Sequence, residues 1–134
     1  MTTMTLRIMR SILAAAVLAI AGCASTSVST IPYPDVGTLS PTEPARVQIL
    51  RAEPARPHVK LGEITVDASS SPPPTPQEVD GMLRTAAAKL GADAAVVVAD
   101  TTQPGLPVAG ATWWGRTPMS RGAREVIAVA VKYR

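Results

Sequence analysis

A helix and the strand that follows it are encoded in residues 75–99, TPQEVDGMLRTAAAKLGADAAVVVA. Thr75 is a favoured N-cap, Pro76 suits the first helical position, and Glu78 completes a Thr-x-x-Glu capping box. Apolar residues then recur at the spacing of one helix face. This stripe consists of Val79, Met82, Leu83, Ala86, Ala87 and Leu90. The pattern predicts a helix over Pro76–Leu90 that packs closely on a sheet, because its stripe carries small alanines.

The strand of this unit begins only three residues after the predicted end of the helix. Gly91 is the residue type that most often closes a helix in the left-handed conformation. The run Ala94–Ala99 has strand length, and its lack of polar alternation is typical of an inner strand covered on both faces. A strand, a helix and a second strand in succession predict a right-handed crossover.

Three further strands are predicted around this unit. Val47 and Ile49 alternate with polar neighbours in a short strand, and residues 58–66 form a second strand in which Gly62 suggests a bulge. The last strand covers residues 125–133. One of its faces carries Ile127, Val129, Val131 and Tyr133, and the other carries Val126, Ala128 and Ala130. Residues 46–134 are therefore predicted to be a small α+β domain, with a sheet of three or four strands and one packed helix.

The N-terminus has the three parts of a secretory signal. A polar start holds Arg7 and Arg10, and residues 12–21 are an unbroken apolar run of ten. A membrane-spanning helix needs about 20 such residues. Residues 1–22 are therefore predicted to be a signal peptide.

The end of this signal resembles the lipobox of bacterial lipoproteins, in the residues Ile20, Ala21, Gly22 and Cys23. Cys23 is the only cysteine of the chain. The resemblance implies that the signal is cleaved before Cys23, whose thiol then carries a diacylglyceryl group with fatty acids such as palmitate. Two or more acyl chains give stable membrane anchoring. Ala24, in place of aspartate, implies sorting to the outer membrane of a Gram-negative cell.

The segment 23–45 has no hydrophobic period. It is rich in Pro, Ser and Thr, a composition that favours extended and poorly ordered chain. One prediction is a disordered tether that lifts the domain off the membrane and could reach roughly 60 Å at full extension. The alternative is that Ile31–Pro34 docks on the domain as an edge segment.

Composition excludes several classes of function. The 13 basic and 10 acidic residues give a net charge of +3, which falls to 11 − 10 = +1 without the two signal arginines. The remaining basic residues are scattered, so no nucleic-acid surface is expected. With His58 the only histidine, no catalytic set, metal centre or cofactor site is recognisable, and the chain is predicted not to be an enzyme. Asp93, in the turn between helix and strand, is expected to have a capping role.

A tryptophan pair is the best candidate for binding a partner. Trp113 and Trp114 lie in the Gly/Pro-rich segment 101–124, and Arg116 follows them. Loops of this length are often functional, and the three residues form a basic, aromatic surface suited to lipid headgroups, peptidoglycan or a protein. The alternative is that one tryptophan covers the open face of the sheet. On an extended segment, neighbouring side chains would point one inward and one outward.

Residues 57–64 and 83–97 carry a resemblance to small bacterial envelope domains. They read Pro-x-x-x-Leu-Gly-Glu-Ile and LRTAAAKLGADAAVV. They resemble the outer-membrane stress-sensor lipoprotein of the Rcs phosphorelay and the YbjQ-like family, whose name refers to heavy-metal binding. The resemblance implies a small α/β domain with a Gly-containing strand, a helix and a buried strand after it.

The predicted function is that of a non-enzymatic lipoprotein of the bacterial cell envelope. It would be anchored in the outer membrane through Cys23, with its domain in the periplasm, where it meets an envelope protein or peptidoglycan. Two alternatives come from the relatives: an envelope stress-sensing or signalling subunit, and a YbjQ-like homo-oligomer joined through sheet edges.

Overall fold

A five-stranded sheet and one long helix make up the computed structural model, which describes residues 26–118 and 124–134. In chain order the elements are β1 Ser27–Pro32, a 3₁₀ turn Pro44–Arg46, β2 Gln48–Leu50, β3 His58–Asp67, α1 Pro76–Lys89, β4 Ala94–Asp100, the one-turn helix α2 Ala111–Trp114, and β5 Glu125–Tyr133. The predicted mixture of one main helix and a sheet is confirmed, but the sheet has five strands where three or four were predicted. The signal segment and Cys23 lie outside the described residues. In the part of the chain that is described, no helix has the length and hydropathy needed to cross a membrane.

The strands are arranged in the order β1-β3-β5-β4-β2. The central strand β5 is antiparallel to β3 on one side and to β4 on the other, so β3 and β4 run parallel to each other. Because α1 connects these two strands, the predicted crossover from β3 to β4 passes over β5. β2 extends the sheet parallel to β4, and β1 extends it antiparallel to β3.

Each face of β5 contributes to a separate hydrophobic core. Val126, Ala128 and Ala130 face α1, where they pack with the fully buried Leu83. Ile127, Val129 and Val131 face the opposite way and are covered by the segment that precedes β5. The two faces predicted from the alternation of β5 are therefore confirmed.

The ends of α1 are closed as the sequence predicts. Thr75 Oγ1 accepts a hydrogen bond from the Glu78 N–H at 3.3 Å, and Glu78 Oε2 accepts one from the Thr75 N–H at 2.6 Å. The helix ends at Lys89, with Leu90 as its C-cap. Gly91 has a φ of +79°, and a Cβ there would lie 2.7 Å from both Leu39 Cβ and the Ser40 carbonyl oxygen.

The prediction of a disordered tether over 23–45 is wrong for Ser27–Pro32, which forms the edge strand β1. Its six residues pair with β3, from Ser27 opposite Asp67 to Pro32 opposite Gly62. The physical reason is that β3 would otherwise expose an unpaired row of backbone groups. The alternative of a docked edge segment is thus the correct one, and the sheet includes residues about 20 positions before the predicted start of the domain.

Pro32 and Gly62 fit each other at the end of this ladder. The Tyr33 N–H donates to the Leu61 carbonyl oxygen at 2.9 Å. Hydrogen-bonded and non-hydrogen-bonded pairs alternate along an antiparallel ladder, so the ladder needs no donor from the preceding residue, Pro32, which has no N–H. A Cβ on Gly62 would lie 2.7 Å from the Ile31 carbonyl oxygen and 2.9 Å from Pro32 Cα. The pairing of β3 with β5 shifts register between Lys60 and Gly62, which confirms the predicted bulge.

We expect Gly62→Ala to destabilise the domain by about 1–3 kcal/mol, because the added methyl meets backbone atoms of β1 that cannot move without breaking the ladder. Gly37→Ala is the matched control, since a Cβ at Gly37 meets nothing within 4 Å. Urea unfolding of the two variants beside the wild type measures the difference. Equal stabilities of the two variants would contradict the close approach of β1 to β3.

Candidate functional site

The segment that holds the tryptophan pair lies over the face of the sheet opposite to α1. It is attached to β4 by a hydrogen bond from the Ala109 N–H to the Val97 carbonyl at 2.9 Å. That carbonyl lies where the register between β4 and β5 shifts, between Val97 and Ala99. Such an irregularity interrupts the ladder and leaves backbone groups available to a loop. Trp113 and Trp114 follow on the one-turn helix α2.

Trp114 belongs to the hydrophobic core. Its side chain packs with Ile127 and Val129, and only 7% of the residue is exposed. The indole Nε1–H donates to the Tyr33 hydroxyl at 2.9 Å, so the one polar atom of the ring has a partner. The alternative that one tryptophan covers the open sheet face therefore applies to Trp114.

Trp113 is half-buried and is held by polar groups of β3. Its Nε1–H donates to His58 Nε2 at 3.3 Å, and Lys60 Nζ lies 4.6 Å from the centre of a Trp113 ring. Lys60 also donates to the Trp113 carbonyl oxygen. The two indoles thus differ in burial, as expected. The expectation of an extended segment is wrong, because both residues lie on a helical turn, where successive side chains point about 100° apart.

His58 is engaged at both ring nitrogens. Nδ1 lies 2.7 Å from the Arg56 carbonyl oxygen, and Nε2 accepts from Trp113. The tautomer that fits both contacts carries its proton on Nδ1, which then donates to the Arg56 carbonyl oxygen. The bond to Trp113 holds the start of β3 against α2, whereas the bond to Arg56 lies within the segment that enters β3.

Arg116 is the most exposed of the three predicted partner-binding residues. Its guanidinium lies 4.7 Å from the centre of a Trp114 ring and forms an ion pair with Glu63 on β3. The Arg116 side chain remains 57% exposed. Arg116 therefore covers one side of the Trp114 ring, while more than half of its own side chain stays exposed to solvent.

A cleft of about 240 Å³ opens beside this ion pair. It is lined by Ser29, Ile31, Glu63, Thr65, Trp114, Arg116, Thr117, Glu125 and Ile127. Ile31 is 55% exposed at this cleft, whereas Glu125 is buried. The volume is below the range of about 300–1,000 Å³ that is usual for small-molecule sites. The cleft therefore fits a single side chain or a similarly small group of a partner.

Sequence reasoning identifies Trp114 and Arg116 but misses the cleft between them and β1. The cleft depends on β1, which supplies Ser29 and Ile31 and which pairs with a strand distant in the sequence, β3. The alternative of a docked Ile31–Pro34 segment is the one signal that could have revealed it.

The two aspartates at the ends of β4 are both used in structural bonds. Asp100 has a side chain only 1% exposed, which pairs with Arg51 at 3.0 Å and accepts three hydrogen bonds from Thr102 and Gln103. Asp93 accepts from Lys132 Nζ and from the Tyr133 N–H, each at 2.9 Å. Asp93 thus fastens the end of β5, whereas a helix or turn cap was expected. Among residues 26–118 and 124–134, no group of His, Cys, Asp and Glu is placed to hold a metal ion.

The bonds of Asp93 determine the direction of its pKa. Partial burial acts to raise the pKa of Asp93, but the hydrogen bonds from Lys132 and Tyr133 outweigh it, together with the charges of Lys132 and Arg56. The pKa of Asp93 therefore lies below its ordinary value of 3.8.

Comparison of the chain with protein-family models, with curated proteins and with solved structures gave no match. The resemblance to the Rcs sensor lipoprotein and to the YbjQ-like family therefore stays a prediction. The functional argument rests on the residues of this chain.

We expect Trp114→Ala to destabilise the domain by about 3–5 kcal/mol, because removal of the buried indole leaves a large cavity in the core on the Ile127 side of β5. Trp113→Ala is the matched control for the same chemical change at the half-buried neighbour, and should cost about 1–2 kcal/mol. Urea unfolding measures both. A larger loss at Trp113 than at Trp114 would contradict the assignment of Trp114 to the core.

We expect Asp93→Asn to be less stable than the wild type at pH 7 by about 1 kcal/mol, a modest figure because the pair is partly exposed to solvent. A carboxylate whose folded-state pKa is lowered stabilises the fold above its unfolded pKa, and this contribution is lost as the pH falls through the folded value. The gap between the two proteins should therefore close below about pH 3.8. Thermal unfolding from pH 7 to pH 2.5 measures it, with exposed Asp35→Asn as control. A stability difference between the two proteins that widened in acid would contradict the lowered pKa of Asp93.

Proposed function

We propose that the protein is a non-enzymatic lipoprotein of the bacterial outer membrane, anchored by an acylated Cys23, which presents its small domain to a partner in the periplasm. The observation that carries this proposal is the lipobox. The sole cysteine of the chain directly follows Ile20, Ala21 and Gly22, at the end of a signal-like segment. An acyl chain at that position contributes roughly 0.8 kcal/mol of membrane affinity for each buried CH₂ group.

The start of β1 limits how far the domain can stand from the lipid. Ser27 is only four residues after Cys23. Four residues span at most about 14 Å at full extension. The roughly 60 Å tether estimated from composition is therefore replaced by a short link, and the end of the sheet that carries Ser27 would lie close to the membrane.

The environment of the polar residues supports binding rather than catalysis. Both nitrogens of His58 and the carboxylates of Asp93 and Asp100 are taken up by hydrogen bonds or ion pairs within the domain. Beside Ile31, the tryptophan segment presents Arg116 to solvent, where it pairs with Glu63 of β3. A charged pair next to an exposed apolar side chain is a surface suited to a protein or polymer partner.

We expect the wild-type protein to carry the mass of the acyl groups and to fractionate with the outer membrane, and Cys23→Ser to lose both properties, because serine has no thiol for the thioether. Intact mass spectrometry and density-gradient flotation measure the two properties. Ser25→Ala is the control, since it changes a nearby residue outside the lipobox. Wild type and Cys23→Ser that remain equally unmodified and soluble would overturn the proposal.

A further inference from the structure

A second cleft, of about 370 Å³, lies at the end of the sheet farthest from Ser27. It is lined by Arg46, Gln48, Arg56, Asp93, Tyr133 and Arg134. Half of these residues are arginines, although they are widely separated in the sequence. Arg46, Arg56 and Arg134 are here called the arginine cluster.

The sheet topology brings the arginine cluster together. Arg46 ends the 3₁₀ turn before β2, Arg56 precedes β3, and Arg134 follows β5. The Arg134 N–H donates to the Pro57 carbonyl at 3.0 Å, which joins the end of β5 to the entry into β3. The Gln48 N–H donates to the Asp93 carbonyl at 3.0 Å, which joins the start of β2 to the start of β4.

The arginine cluster has an excess of positive charge. The ion pairs of the described residues are Arg51–Asp100, Arg116–Glu63 and Lys132–Asp93, so they include none of the three arginines. The one carboxylate side chain that lines the cleft, Asp93, is bound to Lys132 and to the Tyr133 N–H, and its charge also interacts with that of Arg56, so it offsets only part of the positive charge. An α-carboxylate on Arg134 would reduce the excess without cancelling it. Three guanidinium groups around one concavity favour an anion.

One guanidinium of the cluster is held in a defined position. Arg56 Cζ lies 4.3 Å from the centre of the half-buried Tyr133 ring. Stacking of this kind orients the planar fork of arginine, which binds carboxylates through two parallel hydrogen bonds. A partly fixed fork loses less side-chain entropy when it binds a ligand.

The position of the cluster indicates which anion it meets. β3 runs from His58, beside the cluster, to Asp67, opposite Ser27, and its nine steps cover about 30 Å. A domain that stands on its Ser27 end, after a link of four residues, would hold the cluster on the side away from the lipid surface. With the anchor of the proposed function, the arginine cluster points away from the membrane and into the periplasm.

We propose that the arginine cluster binds the carboxylates of the stem peptides of peptidoglycan. The proposal rests on the proposed function, because the anchor is what directs the cluster toward the cell wall. Peptidoglycan is the carboxylate-rich polymer on that side of the outer membrane, and its peptides present the planar, singly charged groups that a guanidinium fork fits. The neutral glycan adds no opposing charge.

The test is sedimentation of the full-length protein, purified in detergent, with purified peptidoglycan sacculi. We expect Arg46→Gln/Arg56→Gln to bind about tenfold more weakly than the wild type, because two charge-assisted contacts are lost. The matched control is Lys89→Gln/Arg124→Gln, which removes the same charge from exposed positions elsewhere and should bind within about twofold of the wild type. Sacculi whose stem carboxylates have been amidated should bind the wild type about as weakly as native sacculi bind the cluster variant.

Several outcomes would overturn this assignment. Wild type that fails to sediment with sacculi, or that binds amidated sacculi equally well, excludes the stem carboxylates as the ligand. An equal loss of binding in both double variants indicates that the protein binds sacculi through its overall charge and not through the arginine cluster. Binding to poly-glutamate without binding to sacculi indicates an acidic protein instead. Because the assay uses purified protein whether or not it is acylated, its result is separate from the fractionation of Cys23→Ser. Far-UV circular dichroism and urea unfolding verify that the variants are folded.

Discussion

The burial of β5 on both faces is the constraint on which the rest of the domain depends. Its first seven residues are buried, and the six apolar residues that follow Glu125 divide between two cores. A strand of this kind is stable only if each face is covered. The capped, alanine-rich helix α1 covers one face. No long helix of the described residues covers the other, and in a chain without phenylalanine the indole of Trp114 is the largest buried side chain on it.

The elements that could be predicted from the sequence are those with local signals. The capping box at Thr75, the left-handed Gly91 and the alternation along β5 each specify their structure within a few residues. β1 has no such signal, because its order comes from pairing with a strand about 35 residues away along the chain. The arrangement of Trp113 and Trp114 is equally non-local, since the side chains of β3 and the hydroxyl of Tyr33 decide which ring is enclosed.

The candidate sites likewise divide into residues with a local sequence signal and residues that only distant contacts bring together. Arg116 is found because it follows two tryptophans, yet its ion pair with Glu63 joins residues 53 positions apart. The arginine cluster has no sequence signal at all: its members stand alone among uncharged neighbours, and only the sheet order assembles them. Basic residues that are scattered along the sequence predict no charged surface. The sheet topology nevertheless brings three of them together around one cleft. Asp93 and Asp100, in contrast, form structural bonds at the two ends of β4.

The antiparallel pairing of β1 with β3 has a mechanical consequence. With the anchor at the N-terminal side of β1 and a wall polymer held at the opposite end of the sheet, tension between membrane and wall would run along the strand axis. The ladder bonds lie perpendicular to that axis, so all six residue pairs would resist sliding at once instead of opening one after another. β1 would then be loaded in shear, and a small domain of few charges could transmit force that a hairpin opened one pair at a time would not withstand.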